Sequence, residues 1–249
     1  MGARAAVTDL WVPATATIKP QTAQQFSLGA ARNLRSHDEG FELSLETYYK
    51  PMRNLIEFRD GADFVGTTDD GYENKITSGR SWAYDAELFP QKKTGKTTGW
   101  LGYTLSWSNR RFPELNQGLE YPYKYDRYHD IKLVIIYEFS PALTLSGTFV
   151  YGTGQAITLS QGRYALGPNS GSPFEDYGTR NSYRMVAYHR IDLDSSHTKK
   201  KRRGKVVNSF SVYNAYNRHN PSYFIYLNRA LGSNELSYRQ VSLSNLAVV

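Results

Sequence analysis

The histidines are the first residues to weigh, because imidazole is the commonest protein ligand for metals and a ready general base. There are five, His37, His129, His189, His197 and His219, and none stands at i, i+4 spacing from another, as a helical metal pair requires. His129 lies between Asp126 and Asp130, a grouping that could suggest a metal. At a loop-to-strand junction we expect it to serve as a structural hydrogen-bonding group instead. Carboxylates pair at Asp69-Asp70, Glu42/Glu46, Asp85/Glu87 and Asp192/Asp194. Two acids flanking one bond can support glycoside hydrolysis, but on alternate strand positions acids are the default lining of a hydrated face. Gly152-Thr153-Gly154 is a lone Gly-x-Gly with no helix after it, so a bend or bulge is the better reading than a phosphate cradle. With no cysteine in the chain, thiol catalysis, disulfides and cysteine-based metal sites fall away. Neither a catalytic role nor a metal or cofactor is expected.

Charge offers a second kind of chemistry. The chain carries a formal net charge of +7, and part of it is concentrated in Lys199-Lys200-Lys201-Arg202-Arg203. Such a run invites a nucleic-acid reading. It falls between two strand-like segments, however, where a solvated hairpin loop ending at Gly204 is the simpler account.

The elements that must position these groups are strands. No stretch approaches the roughly 18 apolar residues of a membrane-crossing helix, and most segments alternate with period two. Ile131, Leu133, Ile135, Tyr137 and Phe139 alternate with Asp130, Lys132, Val134, Ile136 and Glu138. Leu143, Leu145, Phe149 and Tyr151 oppose Thr144, Ser146 and Thr148. Leu101, Tyr103, Leu105 and Trp107 alternate with Gly102, Thr104, Ser106 and Ser108, as Phe41, Leu43 and Leu45 do with Glu42, Ser44 and Glu46, and Ile191 and Leu193 with Arg190, Asp192 and Asp194. About nine strands are expected from this periodicity, near 24–35, 40–59, 81–93, 97–110, 129–139, 142–159, 183–197, 205–217 and 236–246, after an irregular leading segment, 1–23. Short connections at Lys93–Lys96, Phe139–Ala142 and the basic run alternate with long ones near 60–80, 111–127, 161–181 and 220–236. Tight turns at one end and long loops at the other are the plan of an outer-membrane barrel. The 20 Tyr, 11 Phe and 4 Trp suit the aromatic girdles of such a barrel at its two membrane boundaries.

Several passages carry a family resemblance. Tyr48–Ala62, Gln91–Lys96 running into Gly99–Ser106, Tyr125–Asp130, Val150–Thr158 and Val212–Arg218 resemble, in this order, strand and loop passages of TonB-dependent outer-membrane receptors. The resemblance covers roughly residues 8–243 and corresponds to the C-terminal part of the barrel. It implies an all-β antiparallel transmembrane segment of a wall of about 22 strands in the bacterial outer membrane, which imports a scarce solute of the siderophore, vitamin or glycan class. It further implies outer-membrane lipid, a plug domain in the rest of the receptor chain and the TonB complex as partners. No plug precedes these strands, Met1–Val7 lacks the apolar core of a secretory signal, and Ser244–Val249 ends without the family's terminal aromatic. The expectation is therefore a barrel portion that does not transport by itself.

Solute contacts are expected in the long loops and upper inward faces, at Arg110, Arg111, Asn116, Tyr121, Tyr123, Arg127, Arg163 and Tyr164. Arginine suits anionic groups, and tyrosine can stack on a ring. Two other readings remain open from the sequence. One is a complete small outer-membrane barrel acting as adhesin or anchor. The other is a soluble basic β-domain that binds nucleic acid through residues 199–203, with affinity falling steeply as salt rises.

Overall fold

The computed structural model describes residues 13–36, 39–60, 72–164, 174–228, 236–243 and 247–248. His37 and Asp69-Asp70 lie outside the described residues. The alternating segments become long strands: β1 Phe26–Ser36, β2 Glu39–Phe58, β3 Ile76–Lys92, β4 Thr97–Arg111, β5 His129–Ser140, β6 Leu143–Gly152, β7 Tyr188–Lys201 and β8 Gly204–Tyr213. Each pairs antiparallel with its chain neighbours, from β1 beside β2 through to β7 beside β8. Thr22–Ala23 adds to β2, Tyr121–Pro122 to β4 and Ala247–Val248 to β8, completing an 11-stranded sheet. Among the described residues this sheet is open, with β1 at one edge and β8 with Ala247–Val248 at the other. A separate hairpin, β9 Asn220–Asn228 and β10 Leu236–Leu243, follows.

The connections alternate as expected. Lys93–Lys96, residues 141–142 and residues 202–203 are tight turns at one end of the sheet, and residues 59–75, 112–128 and 153–187 are long segments at the other. Four readings need correction. The strand placed at 142–159 ends at Gly152, because Gly154 must pass the carbonyl oxygen of Met185 where a Cβ would stand only 1.6 Å away. Residues 220–228 are a strand, not part of a long loop. Lys199–Lys201 belong to β7, so the basic run is half strand and half turn. The leading segment is not wholly irregular either, since Thr22 and Ala23 pair with Arg53 and Met52.

Register decides which residues share a face. Tyr49, Tyr84 and Trp107 stand directly opposite one another on β2, β3 and β4, and Leu101, Leu133 and Phe149 do so on β4, β5 and β6. The same face carries Phe26, Leu28 and Leu34 of β1, Phe41, Leu43 and Leu45 of β2, Ile135 and Tyr137 of β5, and Leu193 of β7. These side chains are exposed, Leu28 to 76% and Ile135 to 46%. An apolar sheet face normally buries itself against a second layer. Here none of the described elements covers it. The opposite face is polar: Glu46, Glu87, Thr104 and Asp130 form one row across β2–β5, and Arg190 and Asp192 of β7 form an ion pair on it at 2.9 Å.

The apolar face has internal order. Its upper border, on the long-loop side, is aromatic: Tyr84 stacks on Trp107 at 5.2 Å, Trp107 meets Tyr128 at 6.3 Å, and His189 lies between Tyr151 and Tyr216 at 6.4 and 5.7 Å. At the lower border Tyr137 packs edge-on against Phe139, and Lys92 lies over Phe41. From Phe41 to Tyr49 the strand rises about 26 Å at roughly 3.3 Å per residue.

One irregularity re-phases a strand. Between Arg53 and Leu55 the β2–β3 register slips by a residue, with Asn54 in the left-handed region at φ 57° and its amide donating to the Pro20 carbonyl at 3.0 Å. Beyond this bulge Leu55 and Glu57 face Gly79 and Thr77 on the polar side. If the strand alternated regularly through Asn54, with no bulge, Glu57 would instead point to the apolar face.

Candidate functional site

The bulge puts Leu55 and Glu57 where the long segments converge. The 112–128 segment folds inward there: Phe112, Leu115 and Tyr121 are almost wholly buried and pack with Leu55 in the one core cluster among the described residues. Gly79 makes room for it. A Cβ at that position would lie 2.4 Å from the Phe112 ring and 2.6 Å from the Arg111 carbonyl oxygen.

Above this core lies a cavity of about 520 Å³. Its walls include Glu57, Asp60, Tyr121, Tyr123, Arg180 and Asn181, with Asn116, Lys124, Thr158 and Asp176 also contributing. Arg180 ties three segments together. Its guanidinium pairs with Asp60 at 2.9 Å and Glu57 at 3.5 Å, and its backbone N–H donates to the Asn116 side chain at 3.0 Å. The Asn181 amide donates to the Pro122 carbonyl at 2.8 Å, while its backbone N–H donates to the Thr158 hydroxyl at 2.9 Å. Glu57 also accepts from Arg110 at 2.8 Å, and the Arg110 guanidinium lies 3.6 Å from the centre of the Tyr123 ring. Among the described residues the Tyr121 hydroxyl is buried without a hydrogen-bond partner. Burial pushes its pKa up to about 12, with the Glu57 charge adding to the rise and Arg180 and Arg110 opposing it.

Three of the eight residues singled out from sequence, Asn116, Tyr121 and Tyr123, line this cavity, and Arg110 stands behind it on Glu57. Arg111 faces elsewhere, its Nε donating to the Gly118 carbonyl at 2.8 Å. Arg127 lies with Asp130 at 3.9 Å, away from the cavity. Arg163 and Tyr164 pair by backbone with Glu175 and Phe174, and their side chains lie outside the described ones. Arg110 and Arg180 already face Glu57 and Asp60, and among the described residues the cavity lining holds three acids (Glu57, Asp60, Asp176) and two cations (Lys124, Arg180). Sequence reading missed Glu57, Asp60, Arg180 and Asn181. The 120 residues between Arg180 and Asp60 leave no local signal that they meet.

His129 takes the structural role expected of it. Its Nδ1 bonds the Tyr103 hydroxyl at 3.0 Å, and its backbone N–H donates to Thr153 at 3.1 Å. Its neighbour Asp126 is buried, accepts from the Ser108 backbone N–H at 2.6 Å and pairs with Arg184. Arg184 in turn lies over the Tyr128 ring at 3.7 Å. This pair locks the second long segment to the third. Among the described residues no group of three His, Asp or Glu is placed to hold a metal.

The fold and the site define an antiparallel meander with a polar, cavity-bearing face and an apolar, aromatic-bordered face. Compared with family models, curated proteins and solved structures, the chain matches none of them.

Proposed function

We propose that this chain forms part of the wall of a TonB-dependent outer-membrane receptor, and that the cavity under its long loops belongs to a vestibule for an imported solute. The observation that carries this reading is the exposed apolar face bordered above and below by aromatic residues. In water that face is costly, at about 25 cal/mol per Å² of apolar surface. Against lipid it is the expected exterior of a barrel, with the polar face turned to the lumen. β2–β7 each reach the roughly 9–11 residues needed to cross the hydrocarbon layer. The open edges of the sheet support a larger wall, because unpaired backbone groups in lipid cost several kcal/mol each. Further strands, toward a total of about 22 around a plug, would satisfy them.

The residues assigned to solute contact are Asn116, Tyr121, Tyr123, Arg180 and Asn181. With Arg180 and Arg110 already paired to Glu57 and Asp60, the cavity favours a polar solute that offers hydroxyl or amide groups over a strongly anionic one. Import would draw on the TonB complex through other parts of the receptor, and the chain supplies binding and passage, not catalysis.

The test is to blot separated outer-membrane and soluble fractions of the source cell with an antibody to residues 142–159. A band confined to the outer membrane and much larger than 28.3 kDa is expected. A band at that mass in the same fraction would point to a small complete barrel, and a soluble band would overturn the membrane reading.

A further inference from the structure

The upper end of the apolar face holds a cluster that solute uptake does not use. Arg53 on β2 stands directly opposite Arg80 on β3, and Arg80 stands opposite Arg111 on β4. All three are exposed. Strands lie about 4.8 Å apart, so three guanidinium groups share a strip of sheet about 10 Å wide. Like charges placed directly opposite one another destabilise a strand pair. Yet among the described residues no carboxylate pairs with any of the three, and the hollow of about 650 Å³ that they border has no acid in its lining. Asn54, Gln117 and the backbone at Gly118 supply further polar groups there.

Position narrows the occupant. On this face the row below the arginines is Pro51, Trp82 and Asn109, and the row below that is Tyr49, Tyr84 and Trp107. Moving up the face, aliphatic residues give way to aromatic ones and then to arginine. Arg53 is four residues above Tyr49, about 13 Å along the strand. In the membrane reading proposed above, on which this inference rests, tyrosine and tryptophan mark the boundary of the hydrocarbon. The arginines then sit at the depth of lipid head groups. Arginine binds phosphate oxygens through paired parallel N–H donors, and three side by side can hold a doubly charged phosphate monoester.

We propose that Arg53, Arg80 and Arg111 form a binding site on the outer face of the wall for the phosphate-bearing head group of a membrane lipid.

Trp82 and Trp107, one and two rows below, provide the readout. The whole receptor that carries these strands is purified from the outer membrane and reconstituted in phosphatidylcholine vesicles, and insertion is scored by protease protection. Brominated phosphatidic acid is then titrated against brominated phosphatidylcholine while tryptophan quenching is followed. At about fivefold per arginine, phosphatidic acid should be preferred by on the order of 100-fold. R53Q/R80Q, which removes side chains with no partner in the described structure, should lower that preference by about 25-fold. Replacing Lys199, Lys200 and Lys201 at the opposite end by Gln should leave it unchanged. Equal quenching by the two lipids in an inserted chain would overturn the site alone. Displacement by inorganic phosphate at matched concentration would mean that a soluble anion is the occupant and would overturn the lipid assignment. Failure to insert would overturn the membrane reading and this inference with it.

Discussion

Replacing Gly79 by alanine should release the inward-folded 112–128 segment while leaving the strands in place. A Cβ on residue 79 cannot coexist with Phe112, whose ring would lie 2.4–2.5 Å away, and it cannot move outward because the Arg111 carbonyl oxygen is 2.6 Å away. The obstacles are consecutive residues, the last of β4 and the first of the segment, so relief requires the segment to lift and the end of β4 to fray with it. Phe112 and Leu115 then leave a site where both are fully buried. Emptying a buried phenylalanine position costs about 3–5 kcal/mol. At 1.36 kcal/mol per decade, the lower figure raises the open population of the segment by on the order of 100-fold. Limited trypsin digestion of the folded chain reads this directly, because Arg111 and Lys124 flank the core and are exposed. In the regime where opening and closing outrun cleavage, the cutting rate follows the open population. Gly147→Ala is the control, since its Cβ would make only ordinary contacts, the nearest at 3.6 Å from the Leu193 side chain. Equal cutting of G79A and G147A would refute the claim that Gly79 is what lets the segment fold inward.

Tyr121→Phe should keep the ring packing and remove a hydroxyl that has no partner, leaving the cap equally stable or more stable by about 1 kcal/mol in thermal melts. Because the folded-state pKa of Tyr121 is raised from 10 to about 12, its contribution is complete below about pH 10 and is lost as pH rises through 12. Y121F should flatten that alkaline decline, and an unchanged profile would count against burial as its cause. Ile135→Arg should lower the yield of vesicle-inserted chain, at about 2–4 kcal/mol for a cation on the lipid side. Ile136→Arg, one residue on and on the polar face, should insert normally, so equal yields would contradict the proposal that the apolar face meets lipid. Deleting Asn54 should remove the bulge and leave Leu55 opposite Gly79 and Glu57 opposite Thr77. A cysteine placed at Glu57 should then keep its reaction with a water-soluble maleimide, and lost labelling would show that Asn54 is not the extra residue.

What the sequence determined here is whatever depends on near neighbours. A period of two is a property of consecutive residues, so Phe41–Glu46, Leu101–Ser108 and Asp130–Phe139 reveal both the strand and its two faces before any partner is known. Turn chemistry is also local, and the tight connections at Lys93–Lys96 and Ser140–Ala142 could be placed beforehand. The tertiary structure decided what depends on distant partners. One extra residue at Asn54 inverts the phase of everything after it in β2, and its effect shows only against β3. Arg180 becomes part of the cavity because three segments far apart in sequence converge on it. Arg53, Arg80 and Arg111 look like scattered surface charges until the register sets them side by side. Pairing register and loop convergence are settled by long-range packing and hydrogen bonding, which leave little trace in the local pattern of any one segment.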